Sequence, residues 1–196
     1  MNWTLPAGYR GLIFDCDGTL VDSMPLHYQA WVTVLRRHDL ELTEARFYQW
    51  AGTSIEEVIK RLAAEKGLNV DAAAIATERD EYFFDLAAGN LQPVAVVVDI
   101  AKHYYGQLPM AVATGSTRES AVASLRAIGI LELFDAVVSS QEAGPPKPAP
   151  DVFLLAAKRI GVPANECVVF EDGEAGLVAS RAAGMLTVDI RPWLER

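Results

Sequence analysis

Cysteine is scarce in this chain, with 2 in 196 residues, so no disulfide framework of the kind that holds small secreted domains together is expected. Positive charge is in deficit too: 17 Lys and Arg against 26 Asp and Glu leave a net charge of -9. A nucleic-acid backbone wants a basic face, so the balance argues against that partner, and any anionic substrate must meet local positive charge. No apolar run approaches the roughly 20 residues of a membrane-spanning helix. The opening Met1-Asn2-Trp3-Thr4-Leu5-Pro6 has neither a basic start nor a long apolar stretch, which leaves the cytoplasm as the expected compartment. Repeats and low-complexity tracts are missing as well. What remains is 51% hydrophobic and 22% charged, enough for one sizeable domain or for one domain carrying a smaller insert.

The densest chemistry follows a short apolar run. Gly11-Leu12-Ile13-Phe14 leads into Asp15-Cys16-Asp17-Gly18-Thr19-Leu20, two carboxylates one residue apart and then a glycine. Strands of parallel sheets read as continuous apolar runs, and ligands gather beyond their carboxyl ends, so Asp15 and Asp17 stand where an active site is expected. One carboxylate can act as nucleophile or metal ligand while the other carries a proton to a leaving group. Gly18 lets the chain turn sharply and Thr19 can bond locally, although the same residues also suit an ordinary acidic turn. Cys16 is a poor nucleophile, because the acids on either side suppress its thiolate. Both it and Cys167 sit in apolar strand-like runs and read as small hydrophobes.

Further strand-like runs occur at 110–114, 136–139, 167–171 and 186–190, joining the first at 11–15. Helical stretches separate most of them: 116–128, with Ser116 and Glu119 in capping-box spacing, then 151–160 and 174–183, each followed by a glycine. This alternation predicts an α/β core, a parallel sheet covered on both faces. Residues 22–91 break the pattern with helices alone. Leu26, Ala30, Val34 and Leu35 form one apolar stripe, Ile55, Val58, Ile59 and Leu62 another led by a Ser54/Glu57 capping box, and 71–88 supplies a further helix. The reading is a core of 1–21 and 92–196 with an inserted all-helical domain at 22–91, suited to act as a lid.

Three more strand ends carry polar groups. Thr114-Gly115-Ser116 puts a hydroxyl, a glycine and a helix start together, an arrangement that suits a phosphate but also a simple N-cap at Ser116. In Gly144-Pro145-Pro146-Lys147-Pro148-Ala149-Pro150-Asp151, prolines on both sides stiffen the backbone around one lysine and aim its cation at a phosphate or at the acids. Val168-Val169-Phe170-Glu171-Asp172-Gly173 repeats the opening pattern, and its hard oxygen donors suit Mg²⁺ together with Asp15 and the Asp17 carbonyl.

Phe14-Asp15-Cys16-Asp17-Gly18-Thr19-Leu20-Val21-Asp22-Ser23, Thr114-Gly115-Ser116, Lys147-Pro148-Ala149-Pro150-Asp151 and Val169-Phe170-Glu171-Asp172, in this order, resemble the four motifs of the haloacid dehalogenase superfamily of phosphohydrolases. The insert resembles the cap of the branch containing β-phosphoglucomutase and sugar phosphatases. Pro109-Met110-Ala111-Val112-Ala113-Thr114-Gly115-Ser116 is similar to bacterial fructose-1-phosphate and 6-phosphogluconate phosphatases. The resemblance implies a Rossmann-like parallel sheet with a helical cap. It implies that Asp15 attacks phosphorus, that Asp17 protonates the leaving oxygen and then activates water, and that Thr114 and Lys147 hold phosphoryl oxygens. Gly115, Ser116 and His27 join them as substrate-binding candidates, and Asp15, the Asp17 carbonyl, Asp172 and Glu171 as candidates for Mg²⁺, Glu171 in contact with the ion or just outside it.

The cap arginine and lysine of the mutases fall at Ile55 and near Glu78 in this chain, where neither side chain can hold a second phosphate. A Mg²⁺-dependent phosphatase of small sugar phosphates is therefore expected, with a phosphohexomutase as the alternative and a non-enzymatic phosphoaspartate switch behind both. The expected partner is a small phosphorylated metabolite, with neither nucleic acid nor membrane, and the expected state is a monomer or weak dimer.

Overall fold

Five apolar runs form five parallel strands: β1 (Gly11–Phe14), β2 (Met110–Thr114), β3 (Ala136–Ser139), β4 (Cys167–Glu171) and β5 (Leu186–Asp189). The structure is a computed structural model that describes residues 3–50 and 53–194; Met1 and Asn2 of the opening segment lie outside them. Strand order is β3-β2-β1-β4-β5, which makes β1 central. Phe14 is level with Val112 on one side and Phe170 on the other, so the acidic turn leaves the sheet between the ends of β2 and β4. Asp15 and Ile190, read as strand ends in the sequence, fall one residue beyond β1 and β5. Cys16 is corrected likewise: it is buried, but in the turn after β1 and not in a strand.

In chain order, the helices are α1 (Met24–Arg37), α2 (Glu44–Gln49), α3 (Ile55–Lys66) and α4 (Ala72–Ala87) after β1, then α5 (Ala95–Tyr104) before β2. After β2 come α6 (Arg118–Ala127), α7 (Ser140–Ala143), α8 (Asp151–Arg159) and α9 (Glu174–Ala182). The pleat sends alternate residues to opposite faces. Leu12 and Phe14 pack with Val97, Val98 and Ala101 of α5 and Ala121 and Leu125 of α6, whereas Ile13 packs with Val152, Phe153 and Ala156 of α8 and Ala179 of α9. Phe14 stacks on Phe170 with ring centres 4.8 Å apart. Each fully buried Leu, Ile, Val or Phe side chain among them contributes about 1.5–3 kcal/mol.

The chain divides into two compact units, 1–22 with 91–196, and 23–90. In the core unit, the ends that flank the insertion are tied together. Val21 bridges Pro93, the Asp22 amide donates to the Gln92 carbonyl at 2.8 Å, and the Val94 amide to the Leu20 carbonyl at 2.9 Å. The helical unit has its own core of Trp31, Val34 and Leu35 from α1, Val58, Ile59 and Leu62 from α3, and Ile75 from α4. Ser54 caps α3 by accepting from the Glu57 amide, and Asp71 caps α4 by accepting from the Ala74 amide.

The start of α6 differs from the sequence reading. Thr117, not Ser116, is the N-cap, its hydroxyl accepting from the Ser120 amide at 3.1 Å. The Ser116 hydroxyl is engaged with Asp17 instead. Thr117→Ala should therefore destabilise the protein by about 0.5–2 kcal/mol. Hydrogen exchange at the Ser120 amide should accelerate in that variant and not in Ser116→Ala.

Candidate active site

The acidic turn is fixed by its own backbone. The Asp15 amide donates to the Phe170 carbonyl at 3.0 Å, and the Gly18 amide closes the turn on the Val21 carbonyl at 2.8 Å. Gly18 has φ +87°, and a Cβ there would lie 2.3 Å from Asp172 Oδ2, so both conformation and space demand glycine. Thr19 Oγ1 donates to Asp172 Oδ1 at 2.9 Å, tying the turn after β1 to the one after β4.

Lys147 reaches this centre from the proline-rich loop. Its ammonium donates to Asp15 Oδ1 at 2.7 Å and to Glu171 Oε2 at 2.8 Å, above the Phe153 ring. Glu171 Oε1 accepts from the amides of Asp172 at 3.2 Å and Gly173 at 2.9 Å. Burial pushes the Asp15 carboxyl up, against the pull of Lys147 and with a further push from Asp17. Burial likewise pushes Glu171 up to about 8, the charge of Asp15 adding to it and Lys147 opposing. Lys147 is itself buried, which favours its neutral form, yet the charges of Asp15 and Glu171 outweigh this and raise it above the usual lysine range. Burial, then Asp17 and Asp15, push the Cys16 thiol well up, so it is inert as a nucleophile.

Asp15, Glu171 and Asp172 each offer a carboxylate oxygen within 4.8 Å of the others. Three acids converge beside the single charge of Lys147, and a hard divalent cation would offset the repulsion among them when ionised. The donor set therefore fits Mg²⁺. Both Glu171 oxygens are engaged, by Lys147 and by two amides.

Thr114 ends β2 and is buried; its Oγ1 accepts from the Ser116 amide at 3.0 Å. Beside Gly115 there is open space, and its carbonyl accepts from Ser140 Oγ at 3.1 Å. Ser116 Oγ donates to Asp17 Oδ2 at 2.7 Å. The structure thus brings Asp15, Asp17, Thr114, Gly115, Ser116, Lys147, Glu171 and Asp172 to the carboxyl ends of β1, β2 and β4, and Lys147 serves the acids.

His27 belongs to the helical unit, on α1. Its ring stacks on Phe83 at 3.8 Å, and its Nδ1 meets the Arg79 guanidinium. Because a guanidinium only donates, Nδ1 is the acceptor and the ring proton sits on Nε2. Arg79 is buried, pairs with Asp80 at 2.7 Å and lies over Trp31 and Phe83. It escaped the sequence reading, which stopped one residue earlier at Glu78, an acid that pairs with Arg37 and His38. The sequence offered only an arginine among acids, Glu78-Arg79-Asp80-Glu81.

The model of the haloacid dehalogenase-like hydrolases matches residues 9–184. The chain belongs to that family. It is 39% identical over 183 residues, 93% of this chain and 97% of the relative, to fructose-1-phosphate phosphatase YqaB of Escherichia coli (strain K12). To β-phosphoglucomutase of Bacillus subtilis (strain 168) it is 27% identical, covering 92% of this chain and 83% of that one. Among solved structures, the β-phosphoglucomutase of Clostridium difficile shares the fold with a TM-score of 0.77 at 23% identity, over 92% of this chain and 84% of that one. The chain is thus a hydrolase with an α/β core and an inserted helical unit. Among the described residues, no helix is long and apolar enough to cross a membrane.

One contact ties a distant backbone position to this centre. A Cβ at Gly176 in α9 would lie 1.9 Å from Glu171 Oε2 and 2.2 Å from its Cδ. Alanine favours a helix interior by about 1 kcal/mol over glycine. Gly176→Ala should nevertheless lower both thermal stability and turnover, because Glu171 must move off Lys147; a rise in melting temperature would contradict the contact.

Proposed function

We propose that this chain is a Mg²⁺-dependent phosphatase that hydrolyses small sugar phosphates, fructose 1-phosphate or 6-phosphogluconate being examples, through an aspartyl-phosphate at Asp15. The observation that supports it most is the different treatment of two acids on one turn. Asp15 lies against the Lys147 ammonium at the centre of the sheet, while Asp17 is engaged at the β2 end by a hydroxyl. An ammonium only donates and so favours an ionised partner, as a nucleophile requires; a hydroxyl can donate or accept and so tolerates a partner that gains and loses a proton.

A carboxylate oxygen of Asp15 forms the bond to phosphorus as the ester oxygen leaves, and Asp17 gives that oxygen its proton. Asp17 then takes a proton from the water that cleaves the aspartyl-phosphate, which restores both acids. Lys147 and the Thr114 hydroxyl would bond phosphoryl oxygens, and Thr19 would keep Asp172 in position through its hydroxyl. Asp15 and Asp172, with the Asp17 carbonyl, would hold Mg²⁺, and Glu171 would orient Lys147 from just outside. Bound there, the ion would supply positive charge against the repulsion between Asp15 and an incoming phosphate.

Similarity to a fructose-1-phosphate phosphatase supports the substrate class, a small phosphorylated metabolite. A phosphohexomutase draws support from the similarity to β-phosphoglucomutase and from Arg79, a cation one residue from the position read as acidic. Phosphate release over a panel of sugar phosphates, with Mg²⁺ and with chelator, tests the proposal. Release should require Mg²⁺. Conversion of β-glucose 1-phosphate to glucose 6-phosphate with a bisphosphate primer, faster than any phosphate release, would favour the mutase.

Asp15→Asn should reduce turnover to background without unfolding the protein, as read by circular dichroism. Asp17→Asn should lower kcat/KM on sugar phosphates by about 10²–10⁴-fold. Substitution of Asp172 by Ala should move the Mg²⁺ titration to higher concentration, and an unchanged titration would remove it from the ligand set.

A further inference from the structure

Ser116 was grouped by sequence with the residues that bind phosphate, and its spacing to Glu119 suited a helix cap. The structure gives the cap to the next residue. Thr117 caps α6, and the Ser116 hydroxyl donates to Asp17 Oδ2 at 2.7 Å, across 99 residues of sequence. We infer that Ser116 is a positioning residue for proton transfer: it fixes the rotamer of Asp17 so that the carboxyl faces the leaving oxygen. This rests on the proton-carrying role of Asp17 proposed above.

The surroundings are built for such a task. The Ser116 backbone is held from one side by its amide on Thr114 Oγ1 at 3.0 Å. The preceding carbonyl, of Gly115, is held by Ser140 Oγ at 3.1 Å, and the following residue is locked into α6 by the Thr117 cap. Asp17 sits on a turn closed by the Gly18 amide on Val21 at 2.8 Å. Its backbone rides on β1, and the Ser116 backbone follows the neighbouring β2, so sheet register sets the distance between them. A hydroxyl donating to a carboxylate makes a short, charge-assisted bond, strong enough to select one orientation of a half-exposed acid. Misplacement of a proton donor by 1 Å can cost about 10²-fold in rate.

Leaving-group dependence separates this role from phosphate binding. A sugar alkoxide must be protonated as it leaves, whereas 4-nitrophenolate leaves without help, so a misplaced acid penalises the first ester more. kcat/KM is measured for fructose 1-phosphate, or for the sugar phosphate that the panel selects, and for 4-nitrophenyl phosphate, in wild type, Ser116→Ala, Ser116→Thr and Asp17→Asn. Ser116→Ala should lose at least about tenfold more on the sugar phosphate than on the aryl phosphate, mostly in kcat, and Ser116→Thr should restore most of that difference. Equal losses on both esters, or a loss confined to KM, would overturn the positioning role and return Ser116 to phosphate binding or to the fold. If Asp17→Asn itself shows no leaving-group dependence, the proton-carrying role of Asp17 fails, and the role of Ser116 fails with it. If Asp17→Asn shows it and Ser116→Ala does not, only the present inference is overturned.

Discussion

One ammonium shared between two buried carboxylates organises the carboxyl edge of the sheet. Lys147 bridges Asp15 and Glu171, which end or follow adjacent strands, and its distance to each is below 3 Å. Burying charge is costly unless each group is paired, so this bridge ties the ends of β1 and β4 together at the candidate site. The prolines around Lys147 and the Phe153 ring beneath it reduce the freedom that a long side chain would otherwise lose. What the bridge leaves undone is equally informative. It does not offset the cost of burying the acids it touches: burial pushes both carboxyls up against the pull of Lys147.

The division of labour proposed for Asp15 and Asp17 rests on the partners that the fold gives them. Both residues leave the same strand end, and nothing in their own chemistry separates them. A donor-only cation on one and a hydroxyl on the other does so. On the proposed mechanism, neighbouring strands, and not the acidic turn itself, would decide which acid is the nucleophile and which carries the proton.

The sheet was legible because each strand is a short apolar run, with β1, β2 and β4 buried throughout, and such runs need no knowledge of their neighbours. The acids and Lys147 were legible because few contexts other than catalysis put so many polar groups at strand ends. Ser116 was misread for a physical reason: Ser116 and Thr117 can each cap a helix, and the choice is made by Asp17, far away in sequence. The helix Ala95–Tyr104 was not anticipated, since Val96-Val97-Val98 suits a strand as well as a helix until the sheet needs cover on that face. Arg79 escaped because a helix offers no local mark of register, and a shift of one residue exchanges an acid for a buried cation. The glycine at 176 carried no signal at all, because its reason is the carboxylate of Glu171 against the helix backbone.

The tie between Val21 and Pro93, with the amide bonds from Asp22 to Gln92 and from Val94 to Leu20, gives the insertion a narrow neck. Seen from the core, the whole helical unit is a loop whose two ends are already joined. Closing such a loop costs entropy that grows only slowly with its length, so the core is nearly indifferent to how much chain the neck carries. A module attached in this way can be lengthened, shortened or exchanged for another while the strand order, the lysine bridge and the acid pair stay as they are. The neck makes the helical unit and the sheet separable parts of a single chain, free to be inherited and altered independently.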